Sequence, residues 1–391
     1  MTAPALAPVR RVAFHDLRDL HSLDGVQGEL EAAVLRVTRS GRYLLGPELA
    51  AFEAEFARYC ENEHCVGVGS GLDALELTLR ALGVGAGDEV IVPGHTFVAT
   101  WLAVSATGAR PVPVEPEADS YLIDPARIEA ALTPRTRAIM PVHPYGHPVD
   151  LDAVEAVAAA RGIPVVEDAA QAHGARYRGR RIGSGYAAAF SFYPGKNLGA
   201  LGDGGAVVTR DARLAERIRS LRNYGSRVKY RHDERGTNSR LDELQAAVLR
   251  VKLPYLDAWN ARRGRIAARY SAALAGLPGV AGPRVRGWAQ PVWHQYVLRT
   301  AHRERLAAAL AAAGVQTLVH YPVPVHRSPA YAGEHPGALP LSERLAAQVL
   351  SLPMGPQLTE QDVESVVAAV KDAARTSQET SRETSQESSH E

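Results

Sequence analysis

The sequence predicts an α/β fold, a large domain built on a mostly parallel sheet followed by a smaller α+β C-terminal domain, and three observations carry that expectation. Short apolar, β-rich runs alternate with amphipathic helical patterns through the first two-thirds of the chain, the pattern of a largely parallel sheet covered on both faces. The chain has 391 residues, of which 46% are apolar and 22% charged, enough for two or three domains and a sizeable core. From about Leu253 the texture shifts to Arg/Ala-rich helices with few strands.

In order, the β-rich runs fall at 65–68, 89–92, 111–114, 138–142, 164–167, 188–192 and 206–209. Helical patterns lie between them at 72–82, 125–132, 151–161 and 212–222, the first with Leu72, Leu75, Leu79 and Leu82 spaced by three and four. Helices are expected at 259–274 and 303–313, with short strands at 292–298 and 315–318. The predicted division is a large domain over 1–252, including an N-terminal arm, a small domain over 253–375, and a tail over 376–391. That tail, TSQETSRETSQESSHE, is a degenerate four-residue repeat without an apolar face, so it is expected to be disordered.

Composition excludes several functions. With 44 basic and 43 acidic residues the net charge is +1, which does not suit a nucleic-acid binder. Two cysteines, Cys60 and Cys65, make no disulfide framework, and with His64 alone beside them no zinc site. The pair His143 and His147 is broken by Pro144, Gly146 and Pro148, so it reads as a loop and no metal is expected. No targeting segment is read at the N-terminus, and the apolar run 90–109 is interrupted by Pro93, Gly94, His95, Thr96, Thr100, Ser105 and Thr107. The expected setting is the cytoplasm, with no membrane contact. Only four of the basic residues are lysines, Lys196, Lys229, Lys252 and Lys371, which raises interest in each for chemistry that needs an amine.

Three segments can carry chemistry. In Val165-Val166-Glu167-Asp168-Ala169-Ala170-Gln171, an apolar strand ends in Asp168, at the sheet edge where ligands of open α/β folds bind; the alternative is that Asp168 caps the following turn. Lys196 sits in the glycine-rich run Phe192-Tyr193-Pro194-Gly195-Lys196-Asn197-Leu198-Gly199-Ala200-Leu201-Gly202-Asp203-Gly204. A partly desolvated lysine there suits a Schiff base with an aldehyde, the resting state of pyridoxal phosphate enzymes; the alternative is a surface loop with one charge. Gly69-Ser70-Gly71-Leu72-Asp73, between a strand and a helix, can form a cup for a single anion.

Together with His95-Thr96-Phe97, Gln171, the serine five residues before Lys196 and the run 236–247, these segments resemble the DegT/StrS-type sugar aminotransferases, over almost all of 12–370. The resemblance implies the pyridoxal 5′-phosphate (PLP) transferase fold type I, aspartate aminotransferase-like. It implies that Lys196 holds the cofactor as a Schiff base and shuttles the proton, and that Asp168 faces the pyridine nitrogen. By the same resemblance Gln171 bonds the ring hydroxyl, Phe97 stacks on the ring, and Ser191, Gly71 and Leu72 bind the phosphate. Asn238 is implied to reach that phosphate from a neighbouring subunit, hence a homodimer with shared active sites. Taken singly, Phe97 also reads as core, Ser191 as a strand-end hydroxyl and Asn238 as a helix N-cap.

Retention of Lys196 distinguishes the chain from family dehydratases with histidine there, so transamination is expected, with L-glutamate as amino donor. The segment around Lys196 is similar to the branch acting at C3 of dTDP-3-oxo-6-deoxyhexoses in antibiotic aminosugar pathways; a C4 aminotransferase, a same-fold dehydratase, or a non-catalytic sugar-nucleotide regulator are the alternatives. Lys229 and Arg240 are expected to meet the substrate's diphosphate, and His320 and Tyr321 to lie near the sugar, Lys229 reading equally as a solvated basic loop and Tyr321 as a turn residue.

Overall fold

The apolar runs assemble into one twisted sheet at the centre of the molecule. The computed structural model describes residues 11–334 and 337–387, with side chains to 375. Strands Arg110–Val114, Glu89–Pro93 and Thr136–Ile139 form one parallel group, and Val166–Asp168, Ala187–Ser191, Gly205–Thr209 and His64–Val68 follow in that spatial order. Parallel bridges Ile139–Val165 and Val142–Asp168 join the two groups. Gly205–Thr209 alone runs antiparallel to its neighbours, so the sheet is mostly parallel as expected. Glu89–Pro93, Ala187–Ser191 and Gly205–Thr209 are buried along their whole length, which is why they read as continuous rather than alternating apolar runs.

Helices cover both faces. Ser70 caps Gly71–Ala81 by accepting the Asp73 N–H at 3.1 Å, and Leu75 and Leu79 turn inward with Trp101, Val104 and Ile218. On the other face Phe56 meets Phe190 edge-on at 5.1 Å, and Phe52 meets Phe192 at 5.3 Å. A separate core lies in the C-terminal part, where Ile266, Tyr270 and Leu274 of the long helix Leu256–Leu274 pack with Tyr296, Leu310, Leu352 and Val366.

The structure adds to the sequence reading in four places. Helices Val26–Ser40, Pro47–Tyr59 and Glu243–Lys252 were not assigned from the pattern. The run 315–318 makes only isolated bridges, Val315 to Val12 and Leu318 to Ser351. The N-terminal arm, grouped with 1–252 by sequence, docks through Val12 on the C-terminal unit, its N–H donating to Gly314 at 2.9 Å and its carbonyl accepting from Gln316 at 3.0 Å. The last helix is Glu360–Glu387, so the backbone of the expected disordered tail continues a helix up to Glu387, and 388–391 lie outside the described residues. Adding a residue to an existing helix costs far less than starting one. Among the described residues no helix is long and apolar enough to cross a membrane.

One remote side chain closes the start of a helix. Pro47–Tyr59 has no cap of its own; the buried Glu243 carboxylate accepts the N–H groups of Gly46, Glu48 and Leu49 at 2.8, 2.9 and 2.9 Å. Removing it leaves buried donors unpaired. Glu243→Ala is expected to lower unfolding stability by about 3 kcal/mol in urea titration.

Candidate active site

The site forms where Asp168 ends its strand. Asp168 is 5% exposed. Its Oδ2 accepts the Thr100 hydroxyl at 2.8 Å and its Oδ1 the Ala170 N–H at 3.2 Å. Burial pushes its carboxyl above the usual range, while Thr100, Ala170 and the charge of Lys196 pull it back. Behind Asp168, His143 donates from Nε2 to Glu167 at 3.0 Å, because its Nδ1 accepts the Val149 N–H at 3.1 Å.

Lys196 arrives on a tight loop. Its N–H donates to the Tyr193 carbonyl at 2.8 Å, and Gly199 lies so close to Pro194 that a Cβ would stand 2.3 Å from the Pro194 oxygen. Two side chains from outside the loop, and one of its own, hold it. Lys252 Nζ donates to the Gly199 carbonyl at 2.7 Å, Gln245 Oε1 accepts the Leu201 N–H at 2.8 Å, and Asn197 Nδ2 donates to Asn260 Oδ1 and the Val292 carbonyl at 2.8 and 2.9 Å. Burial lowers the Lys196 amine to about 8, with Asp168 opposing the shift. Burial, followed by the charge of Lys196, lowers His173 to about 3, His320 to about 4 and His294 well below its ordinary value, so all three are neutral at pH 7.

The anion cup is built by close packing. A Cβ on Gly71 would stand 2.5 Å from Ser191 Cβ, so only glycine lets this helix start against the end of the Ala187–Ser191 strand. The first N–H groups of a helix, here Gly71 and Leu72, have no partner within it. Gly69 N–H donates to Ser239 Oγ at 2.9 Å, and Ser239 donates to Asp73 at 2.6 Å. Asn238 is exposed beside it, its backbone bridged to Asn223.

A third group faces the same region. Gln171 Oε1 accepts the Tyr145 N–H at 2.5 Å, so its Nε2 points the other way and donates to the Tyr321 hydroxyl at 2.9 Å. Tyr321 lies 5.2 Å from Phe97, which is 51% exposed. His320 offers its carbonyl to the Tyr145 hydroxyl at 2.5 Å and its ring to Ser351 at 2.8 Å. Tyr145 having spent its proton, neutral His95 donates to it from Nε2 at 2.7 Å.

The structure thus gathers Asp168, Lys196, Gln171, Phe97, His320 and Tyr321 into one region, with Gly71, Leu72 and Ser191 forming the cup. Lys229 and Arg240 stand apart. Lys229 is exposed over the Tyr230 ring at 5.0 Å, and Arg240 bonds Asn223 at 3.3 Å and lies 5.6 Å from the Tyr224 ring. Among the described residues neither bonds the Asp168–Lys196 group. Thr96, Thr100, His95 and Tyr145 were not picked out from sequence as site residues. The signal available was the four-residue spacing of the threonines at a helix start, noted only as breaks in an apolar run.

This arrangement can hold an aldehyde cofactor with an anionic tail, and comparison with known proteins agrees. Residues 25–371 match the DegT/DnrJ/EryC1/StrS aminotransferase family. The chain belongs to this family. It is 61% identical over 364 residues to dTDP-3-amino-3,4,6-trideoxy-alpha-D-glucose transaminase of Streptomyces venezuelae, covering 92% of this chain and 96% of that protein. It is 63% identical over 345 residues to the erythromycin biosynthesis sensory transduction protein EryC1 of Saccharopolyspora erythraea, covering 88% and 94%. The crystal structure of S. venezuelae DesV in complex with a ketimine intermediate superposes with a TM-score of 0.91 at 61% identity, covering 93% and 98%.

As a family member the protein is a PLP-dependent aminotransferase of fold type I. The residues present fit PLP: a cup that a Cβ at Gly71 would fill, an amine lowered toward its free-base form, and a buried carboxylate. Gly71→Ala is expected to weaken PLP retention at least tenfold in equilibrium dialysis, the added carbon displacing Ser191. Because a lysine of pKa about 8 is roughly one-tenth free base at pH 7 and nine-tenths at pH 9, PLP recapture by the apoenzyme is expected to rise about tenfold across that interval in stopped-flow absorption; an ordinary lysine would give a hundredfold rise with no plateau.

Proposed function

We propose that the protein moves the amino group of L-glutamate to C3 of a dTDP-3-oxo-6-deoxyhexose in antibiotic deoxyaminosugar biosynthesis. The observation that carries this reading is the Lys196 amine, lowered to about 8 and within electrostatic reach of the buried Asp168 at one end of the sheet, in a chain 61% identical to a transaminase whose name gives a dTDP-3-amino product. PLP bound there supplies an aldehyde on which an amine is carried and a ring that accepts an electron pair. Lys196 Nζ binds it, then takes the proton from the substrate carbon and returns it. Asp168 stays ionised to hold a proton on the ring nitrogen. Gln171, its oxygen occupied by Tyr145, offers an Nε2 proton to the ring oxygen, and Phe97 covers the ring face. Ser191 and the N–H groups of Gly71 and Leu72 hold the phosphate.

The working form is proposed to be a homodimer. Tyr43, Leu44, Leu45, Val228 and Tyr230 are 42–85% exposed, large apolar side chains open to a second copy. Asn238 then reaches the partner's phosphate, and Lys229 and Arg240 meet the sugar nucleotide's diphosphate at the shared site. His320 and Tyr321 contact the sugar. We take 1–252 and 253–375 as the two domains and the cytoplasm as the location, in keeping with two buried, unpaired cysteines.

The test is spectroscopic and chemical. L-Glutamate is expected to bleach the yellow holoenzyme, and a dTDP-3-oxo sugar to restore it, with the amine found at C3 by NMR. Lys196→Ala is expected to abolish transfer while leaving the fold intact by circular dichroism. An amine at C4, or transfer that survives Lys196→Ala, would overturn the reading.

A further inference from the structure

Thr96 and Thr100 are not among the residues to which the proposed mechanism gives a role, and both are buried, at 5% and 0% exposure. Thr100 opens the helix Ala99–Ala106 and Thr96 lies four residues earlier, in the turn that follows the strand Glu89–Pro93. Their hydroxyls stand 2.8 Å apart, and Thr100 Oγ1 stands 2.8 Å from Asp168 Oδ2. The proton directions follow from the end of this chain. An ionised carboxylate only accepts, so the single Thr100 proton goes to Asp168. Thr100 therefore has only lone pairs to offer Thr96, and Thr96 donates. The result is a one-way relay in which each hydroxyl polarises the next toward the carboxylate.

We propose that Thr100, aligned by Thr96, is a positioning residue that keeps Asp168 ionised and aimed at the cofactor ring. The need for such a device is physical. Withdrawal from water favours the neutral acid at Asp168, and a neutral acid cannot stabilise a protonated ring nitrogen. Around the carboxylate stand the Thr100 hydroxyl, the Ala170 N–H, Lys196 and His143. Lys196 is consumed as a charge whenever its amine is engaged in the reaction or deprotonated, and the Ala170 contact is the longer of the two hydrogen bonds, 3.2 against 2.8 Å. Of the two donors that persist, Thr100 is the closer. The same segment, His95 to Thr100, carries Phe97 against Tyr321 and His95 against Tyr145. One short segment thus sets both the face that covers the ring and the acid beneath it.

The inference rests on the reading that Asp168 faces the ring, and the experiment separates the two. Holoenzymes of wild type, Asp168→Asn, Thr100→Val, Thr100→Ser and Thr96→Val are compared for PLP dissociation constant by dialysis and for the pH dependence of the bound-cofactor absorption spectrum. Thr100→Val is expected to hold PLP about tenfold more weakly, the order expected for a hydrogen bond to a charged group, and to shift the spectral titration. Thr100→Ser, which restores the hydroxyl, is expected to return both toward wild type, which a purely packing role would not do. Thr96→Val is expected to move both in the same direction by a smaller amount, and it decides the matter should Thr100→Val fail to fold. Wild-type affinity and titration in the valine variants overturn the relay. Should Asp168→Asn also behave as wild type, the placement of Asp168 itself falls.

Discussion

The structure turns on keeping one carboxylate charged where water does not reach. Taking an anion out of water is costly unless other groups replace the lost hydration, and Asp168 collects them from separate parts of the chain: hydrogen bonds from Thr100 at a helix start and Ala170 in the turn after its own strand, and the charge of Lys196 on a glycine-rich loop. The parallel sheet makes this meeting possible. Strand ends that carry Asp168, Ser191 and the turn 94–98 lie on one edge because crossover helices return the chain to run in the same direction.

The loop of Lys196 depends on a helix that does not touch the chemistry. Glu243–Lys252 supplies Gln245 to Leu201, Lys252 to Gly199 and, at its other end, Glu243 to the start of Pro47–Tyr59. Lys252 is buried, its amine lowered to about 8 by burial alone. Two of the four lysines therefore lie in this one assembly, one reactive and one holding the reactive loop in place. An arginine in place of Lys252 would bring a planar fork into a space shaped for a compact ammonium between Gly199 and His21.

What the sequence made legible was whatever is local. Leucines at 72, 75, 79 and 82 announced the helix over Gly71–Ala81, continuous apolar runs announced the buried strands, and a solitary lysine among glycines announced Lys196. What stayed hidden depends on distant partners. Thr100 meets Asp168 across 68 positions, and Glu243 meets Gly46 across 197. Neither partner is marked by periodicity, since a threonine at a helix start and a glutamate in a first turn are ordinary capping residues. The run 315–318 failed as a strand for a related reason: its β-propensity is real, but Val12 and Ser351 each meet it at a single bridge. The residues proposed to meet the sugar nucleotide are the least legible of all, because Lys229 and Arg240 stand apart from the Asp168–Lys196 group in a single chain.

Charge in this site is sorted by depth, and that sorting bears on how two unlike substrates use one cofactor. Around Lys196 the ring nitrogens of His173, His294 and His320 are held neutral, and His95 further off is lowered to about 4 by burial. The floor thus carries one anion and one amine near its free-base form, without competing cations among these histidines. A diphosphate is strongly hydrated and is met at least cost where cations keep their own water, as on the exposed hairpin of Lys229. On the proposed reading, the nucleotide end of the sugar is anchored at that rim by charge, while the reacting carbon enters a floor where Lys196 takes its proton. Burial lowers the Lys196 amine toward the range of such a base, and the neutral histidines leave Asp168 as the counter-charge that opposes the shift.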